Sequence, residues 1–192
     1  FASITTDKSK YSPGSYMRIT VSDLDLNLSS DEIDSVEVNI AADSGDEETL
    51  LLNETHFTSA IFQGEIYINE DSVVSGNNIL EADNNDAMVA LYIDEDDGFG
   101  NVNVEKTAEA LLDSAAPVIS GVHVTDVDVD GFTVNWTTNE KADSRIKYGI
   151  ELPAGRKTFL ETTTEHAIVL SNLQECSRYV FFIEAKDIAG NL

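Results

Sequence analysis

Apolar and polar residues alternate with a period of two along most of this chain. The alternation predicts one short strand after another. Met17, Ile19 and Val21 share one face, and Arg18, Thr20 and Ser22 share the other. The phase then breaks. Leu24, Leu26 and Leu28 are apolar on the opposite parity, while Asp23, Asp25 and Asn27 take the parity that was apolar. A one-residue slip exchanges the faces of a strand, so a strand end or bulge is predicted at Ser22–Asp23.

The same reading places strands over 2–6, 36–40, 49–52 and 61–68, the last interrupted at Gln63-Gly64. Tyr11-Ser12-Pro13-Gly14 reads as a turn, since proline presets φ and glycine permits positive φ. Asp43–Glu48 reads as an acidic turn. Ala87–Ile93 is a strand with Val89, Leu91 and Ile93 on one side, and it runs into Asp94-Glu95-Asp96-Asp97-Gly98. Val102 and Val104 close the first series. Only Glu105–Leu112 has helix-compatible composition, and it is too short to change the class.

Small residues and a proline at Asp113–Pro117 mark a boundary. Residues 1–112 form a first domain, 113–116 a linker and 117–192 a second domain. In the second, Val118–Val124 is followed by Phe132, Val134 and Trp136 facing in, with Thr133, Asn135 and Thr137 facing out. Arg145–Tyr148 and Ala167–Leu170 follow. Tyr179, Phe181, Ile183 and Ala185 alternate inward at the end. Short strands, frequent turns and no helical period predict an all-β protein of two tandem β-sandwiches.

Charge changes the picture of partners. The 192 residues carry a formal charge of −25, which argues against nucleic acid and against an anionic membrane as partners. The charge is uneven: residues 1–112 hold 24 acids and 4 bases, and residues 113–192 hold 12 acids and 7 bases. No apolar run approaches the roughly 20 residues that cross a bilayer, and no signal peptide is visible. The first residue is Phe1, as expected of a mature protein or a fragment. Cys176 is the single cysteine, so no disulfide can form within the chain.

Asp23, Asp25 and Asn27 have the alternate oxygen spacing of a calcium loop, and Ser29, Asp31 and Asp34 continue it. An EF-hand fails on this sequence: Leu28 stands where the tight-turn glycine belongs, and Asp34 stands in place of the bidentate glutamate. A sandwich-edge site survives, with Asp94, Asp96 and Asp97 from a second strand end supplying the remaining oxygens, since calcium takes six to eight. The alternative is that these acids are solvated turn residues. Asp126, Asp128 and Asp130-Gly131 repeat the spacing, but Val127 and Val129 alternate with them as a strand would. A plain hairpin turn is the preferred reading there. His56, His123 and His166 lack zinc spacing, Cys176 lacks a C-x-x-C partner, and no P-loop or G-x-S-x-G appears. No enzyme is expected. Asn27, Asn53 and Asn135 head glycosylation sequons.

The second half resembles a fibronectin type III domain. The residues that carry this are Trp136 in F-T-V-N-W-T-T, A-D-S-R-I-K-Y-G (142–149), Leu170, Leu173, Tyr179 and A-K-D-I-A-G-N (185–191). The resemblance implies a tryptophan at the centre of the sandwich and a tyrosine corner at the start of the sixth strand. The family's seventh strand has no counterpart before Leu192. The expectation is therefore an excerpt, completed by a further strand of about 6–8 residues or by strand addition from a neighbouring chain. The first half resembles Ig-like repeats of bacterial and archaeal cell-surface and S-layer proteins. The matching stretches are Y-S-P-G-S-Y-M-R-I-T-V-S-D-L-D-L-N, N-E-T-H-F-T-S-A-I-F-Q-G-E-I and Y-I-D-E-D-D-G-F-G-N. Together these imply a non-catalytic structural module of a large extracellular or cell-surface protein; the expected partners are its own copies or neighbouring domains, and the acidic loops, not the resemblances, add the expectation that calcium rigidifies it. The competing expectation is an accessory polysaccharide-binding pair on a secreted enzyme, which would need exposed aromatics such as Tyr67.

Overall fold

Strand alternation becomes a closed hydrophobic core in each half of the chain. The computed structural model describes residues 1–151 and 155–192. The chain divides into two units, Phe1–Ser114 and Ala115–Leu192.

Unit 1 is built from β1 (Ser3–Thr6), β2 (Lys10–Tyr11), β3 (Tyr16–Ser22), β4 (Ser35–Ala42), β5 (Glu47–Glu54), β6 (Ile61–Asn69), β7 (Ile79–Glu81), β8 (Ala87–Asp96) and β9 (Val102–Leu112). They are hydrogen-bonded in the order β1-β3-β6-β5-β4-β8-β9-β2, with β7 alongside β6. β1 also packs beside β9, bringing the two ends of the path together around one core. Met17, Ile19 and Val21 of β3 are fully buried there, with Leu52, Phe62, Ile68, Leu80 and Met88. The phase break falls as the pattern predicted. β3 ends at Ser22, and Asp23 caps a single 3-10 turn, Leu24–Leu26.

Four local expectations are corrected. β6 is not interrupted at Gly64: its pairing with β3 runs unbroken from Ile61 to Tyr67. Gly64 is there because a Cβ would stand 2.6 Å from a Leu52 methyl and 3.2 Å from the Leu51 carbonyl oxygen. On β8 the core face is Met88, Ala90, Tyr92 and Asp94, not Val89, Leu91 and Ile93. Both parities of β8 are apolar, so alternation could not choose between them. Glu105–Leu112 is strand: it forms most of β9, paired with β8 over nearly its whole length. Cross-strand pairing overrides its helical propensity. Finally, the turn at Asp43 is shorter than expected, because Asp46 is buried and Glu47 already opens β5.

Unit 2 contains β10 (Ile119–Thr125), β11 (Phe132–Gly149), β12 (Gly155–Leu170) and β13 (Val180–Asp187). The two strands expected at 132–137 and 145–148 are one continuous β11. Its register shifts between Thr137 and Ser144. Before the shift β11 pairs with β10 and the end of β12; after it, with the start of β12 and with β13. A bulge of this kind bends the strand and lets one segment serve both layers of a sandwich. Val134, Trp136, Ile146, Ile168 and Leu170 form the core, with Phe132, Tyr148, Phe181 and Ile183 packed against it. Both units are all-β sandwiches. Among the described residues, β13 is hydrogen-bonded to β11 alone.

Candidate functional site

Three strands of unit 1 carry their inward parity one step beyond the last apolar residue, and each ends on a carboxylate. On β3 the series Met17, Ile19, Val21 continues to Asp23. On β5, Leu52 is followed by Glu54. On β8, Met88, Ala90 and Tyr92 are followed by Asp94. Asp23, Glu54 and Asp94 are 2%, 4% and 1% exposed. The register brings these strand ends to the same end of the unit: Ser22 faces Ile61, Glu54 faces Phe62, and Ser35 faces Asn53.

Hydrogen bonds tie Asp23 to Glu54 through Ala60, and Asp23 to Tyr92. The Ala60 amide donates to Glu54 Oε1 at 2.8 Å, and the Ala60 carbonyl accepts from the Asp23 amide at 3.0 Å. The Tyr92 hydroxyl donates to Asp23 Oδ2 at 2.5 Å, and the Asp25 amide donates to Asp23 Oδ1 at 3.1 Å. Burial, followed by the Asp23 hydrogen bond and the charges of Asp23 and Asp94, holds the Tyr92 phenol well above its ordinary range. It remains a donor at any physiological pH. Glu54 Oε2 and Asp94 Oδ2 are buried and receive no hydrogen bond from the described residues. The Lys106 ammonium stands 3.8 Å from Asp94 Oδ2, beyond hydrogen-bonding distance.

Of the residues singled out by spacing, Asp23 and Asp94 are therefore inside, both beside Tyr92. Asp25 and Asp96 are exposed, and Asp96 accepts from the Gly98 amide. Asn27 ties loops together: with its amide nitrogen facing the carbonyls, it donates to Ser29 at 3.1 Å and to Phe57 at 3.2 Å. Asp97 is committed to its own turn. Its Oδ1 accepts from the Phe99 and Asn101 amides and its Oδ2 from the Asn101 side chain. The Asn101 bond above all holds its carboxyl below the usual range. Asp187 does the same in unit 2, accepting from the Gly190 and Asn191 amides and from the Asn191 side chain. Asp97–Asn101 and Asp187–Asn191 are thus the same D-x-x-G-N turn, used once in each unit.

Glu54 was missed by spacing, and so was a second group at the opposite end of unit 1. Asp46, Glu48 and Glu81 are all buried. Glu48 accepts from the Gly76, Asn77 and Asn78 amides, Glu81 from the Val74 amide and the Asn77 side chain, and Asp46 from Ser75 and from the Glu47 and Glu81 amides. This is a loop clamp, with every carboxylate oxygen partnered by an N–H or O–H group. The signal for Glu48 and Glu54 is parity: both sit in phase with Leu50 and Leu52, where an acid is out of place on a solvated face.

In unit 2 the Trp136 ring stacks on His166 at 5.2 Å between centroids, 8° from parallel. His166 bridges the hydroxyls of Thr138 and Ser144, and burial lowers its pKa. The Gln174 amide donates to the Tyr179 hydroxyl at 2.8 Å, which is the tyrosine corner implied by the resemblance. Asp126, Asp128 and Asp130 are exposed in a loop outside any strand, as are Val127 and Val129. The loop is closed by the Asp128 amide donating to the Gly131 carbonyl. Cys176 is exposed.

No protein-family profile matches this chain, and no curated protein does. Similar folds are found among solved structures. The FN1–FN3 domains of chicken CNTN1 align with a TM-score of 0.46 at 14% identity, covering 98% of this chain and 63% of that one. A two-domain fibronectin type III segment of chicken tenascin aligns with a TM-score of 0.35 at 11% identity, covering 95% and 88%. A DUF4785 family protein of Legionella pneumophila aligns with a TM-score of 0.36 at 14% identity, covering 96% and 46%.

Proposed function

We propose that this chain is a non-catalytic structural module of a large extracellular or cell-surface protein, of the S-layer, adhesin or filament kind. Its partners are its own copies or neighbouring domains, and calcium is its rigidifying ion. The observation that supports this reading is where the buried polar groups are spent. Asp46, Glu48 and Glu81 fasten the 73–79 loop, and Asp97 and Asp187 fasten equivalent turns in the two units. Carboxylates used this way stiffen a scaffold, because each satisfies several loop amides at once. Antibody raised against the chain should label intact source cells without permeabilisation. Labelling only after permeabilisation would overturn the reading.

One observation favours a second reading, an accessory polysaccharide-binding pair. Tyr16 and Tyr67 lie opposite each other on β3 and β6, with ring centroids 5.2 Å apart, and Tyr16 is 59% exposed. The exposed ring of Tyr16, with half-buried Tyr67 edge-on beside it, is a surface on which a sugar ring can stack. Pull-down on insoluble polysaccharides that disappears with Tyr16→Ala or Tyr67→Ala would put this reading first.

A further inference from the structure

The two ends of unit 1 treat buried carboxylates in opposite ways. At one end, each carboxylate oxygen of Asp46, Glu48 and Glu81 meets at least one N–H or O–H donor. At the other end Glu54 Oε2 and Asp94 Oδ2 are as deeply buried and meet none among the described residues. A buried carboxylate oxygen without a donor is costly. Lys106 is the one basic residue paired with this end among the described residues, and it stays 3.8 Å away.

We propose that Asp23, Glu54 and Asp94 form a divalent-cation site, with calcium as its ion. The donor set is all oxygen and comes from the ends of three strands, without a nitrogen or sulfur ligand. That chemistry selects a hard cation and excludes zinc-like preference. Calcium fits better than magnesium, because several protein carboxylates and an adaptable geometry suit its six to eight ligands, whereas magnesium keeps most of its water. Glu54 is the residue that spacing alone did not offer, and it replaces the exposed Asp25 and Asp96 as a ligand. The three carboxylates do not all stand within 4.8 Å of one another. An ion at about 2.4 Å from each would draw them together, and no hydrogen bond to Glu54 Oε2 or Asp94 Oδ2 has to be broken for that. The Tyr92 hydroxyl, held on Asp23, supplies a spectroscopic reporter beside the site.

The proposal deepens the structural reading and rests on it only for what the ion is for. Binding is measured on the full chain after chelator treatment. Calcium should raise the midpoint of thermal unfolding saturably, and magnesium should do so less. Glu54→Gln and Asp94→Asn should each weaken calcium by roughly tenfold or more, and Asp96→Asn should not. Terbium, a calcium substitute, should emit when tyrosine is excited, and Tyr92→Phe should dim that emission at saturating terbium, where a change in affinity no longer counts. An absence of calcium response in the parent chain, or full affinity in Glu54→Gln, overturns the site. Should a variant fail to fold, the terbium signal of the parent chain and its loss in Tyr92→Phe decide alone. Surface labelling of cells is a separate readout, so the two readings can fail independently.

Discussion

Trp136 is the residue on which the second unit closes. It is 2% exposed, stacked on His166 and packed among Val134, Ile146, Ile168 and Leu170. Trp136→Ala should cost about 3–5 kcal/mol in denaturant unfolding followed by circular dichroism, the usual cost of emptying a large aromatic site. A cost below about 1 kcal/mol would mean the ring is not the core. His166 beneath it makes a prediction about pH. Burial lowers its pKa from 6.5 in the folded state. Because the folded pKa is the depressed one, the unfolded chain binds the proton more readily. Stability is then fully present above pH 6.5 and is lost as pH falls below that value. Glu184, lowered from 4.5 chiefly by its hydrogen bond from Lys147, titrates in a lower window and does not blur this one. Urea midpoints read from Trp136 fluorescence should drop between pH 7.5 and pH 5, and His166→Gln should flatten that dependence. An unchanged slope in the variant would assign the titration elsewhere. Alternation made it legible that Trp136 and Tyr179 face inward, and the resemblance to fibronectin type III domains supplied the tryptophan's central place and the tyrosine corner. The stacking partner was not legible, since a lone histidine carries no spacing that says what it meets.

At the scale of elements, β5 and the 73–79 loop show what alternation can and cannot reveal. Period two located most strands, and the phase slip at Ser22–Asp23 correctly marked the end of β3. It failed where both faces of a strand are apolar, as on β8, and where pairing overrides composition, as on β9. It also failed where a charged residue is buried by design. Glu48 looked like part of an acidic turn, yet its carboxylate is what the loop is folded around, accepting three backbone amides at 2.6–2.9 Å. Sequence holds no direct trace of those bonds, because the donors are main-chain groups that every residue has. Of the candidate cation site, Asp23 and Asp94 were legible from oxygen spacing at two strand ends. Glu54 was not, because its partners lie on other strands and only the register aligns them. Glu48→Ala removes three acceptor contacts from Gly76, Asn77 and Asn78. Hydrogen exchange at the Asn77 and Asn78 amides should accelerate toward unprotected rates, and less at Gly76, which also donates to the Glu47 carbonyl, with a global cost of about 1–3 kcal/mol as the loop amides turn to water. Unchanged protection there would mean the loop holds itself.

Over the whole molecule, the distribution of charge separates the two units more sharply than their folds do. Residues 1–112 carry 24 acids against 4 bases, and residues 113–192 carry 12 against 7. Ion pairs do little to offset the first figure: in unit 1 Lys10 pairs with Asp113 and Arg18 with Glu65, and Lys106 stands 3.8 Å from Asp94. Unit 2 places Arg145 and Lys147 together on Glu184. Self-repulsion destabilises a compact state, and salt screens it: the Debye length falls from about 30 Å at 0.01 M to about 3 Å at 1 M. Unit 1 should therefore gain far more from salt than unit 2. The chain provides its own way to tell them apart, because its single tryptophan, Trp136, lies in unit 2. Tryptophan fluorescence follows the second unit alone, while circular dichroism follows both. Melts at 0.01 M and 1 M sodium chloride, in chelator so that no divalent ion contributes, should show a transition that moves up in circular dichroism and stays nearly still in fluorescence. Equal movement of the two signals would show that the acidic surface of unit 1 is not a net repulsive load, and that its carboxylates are already balanced within the folded unit.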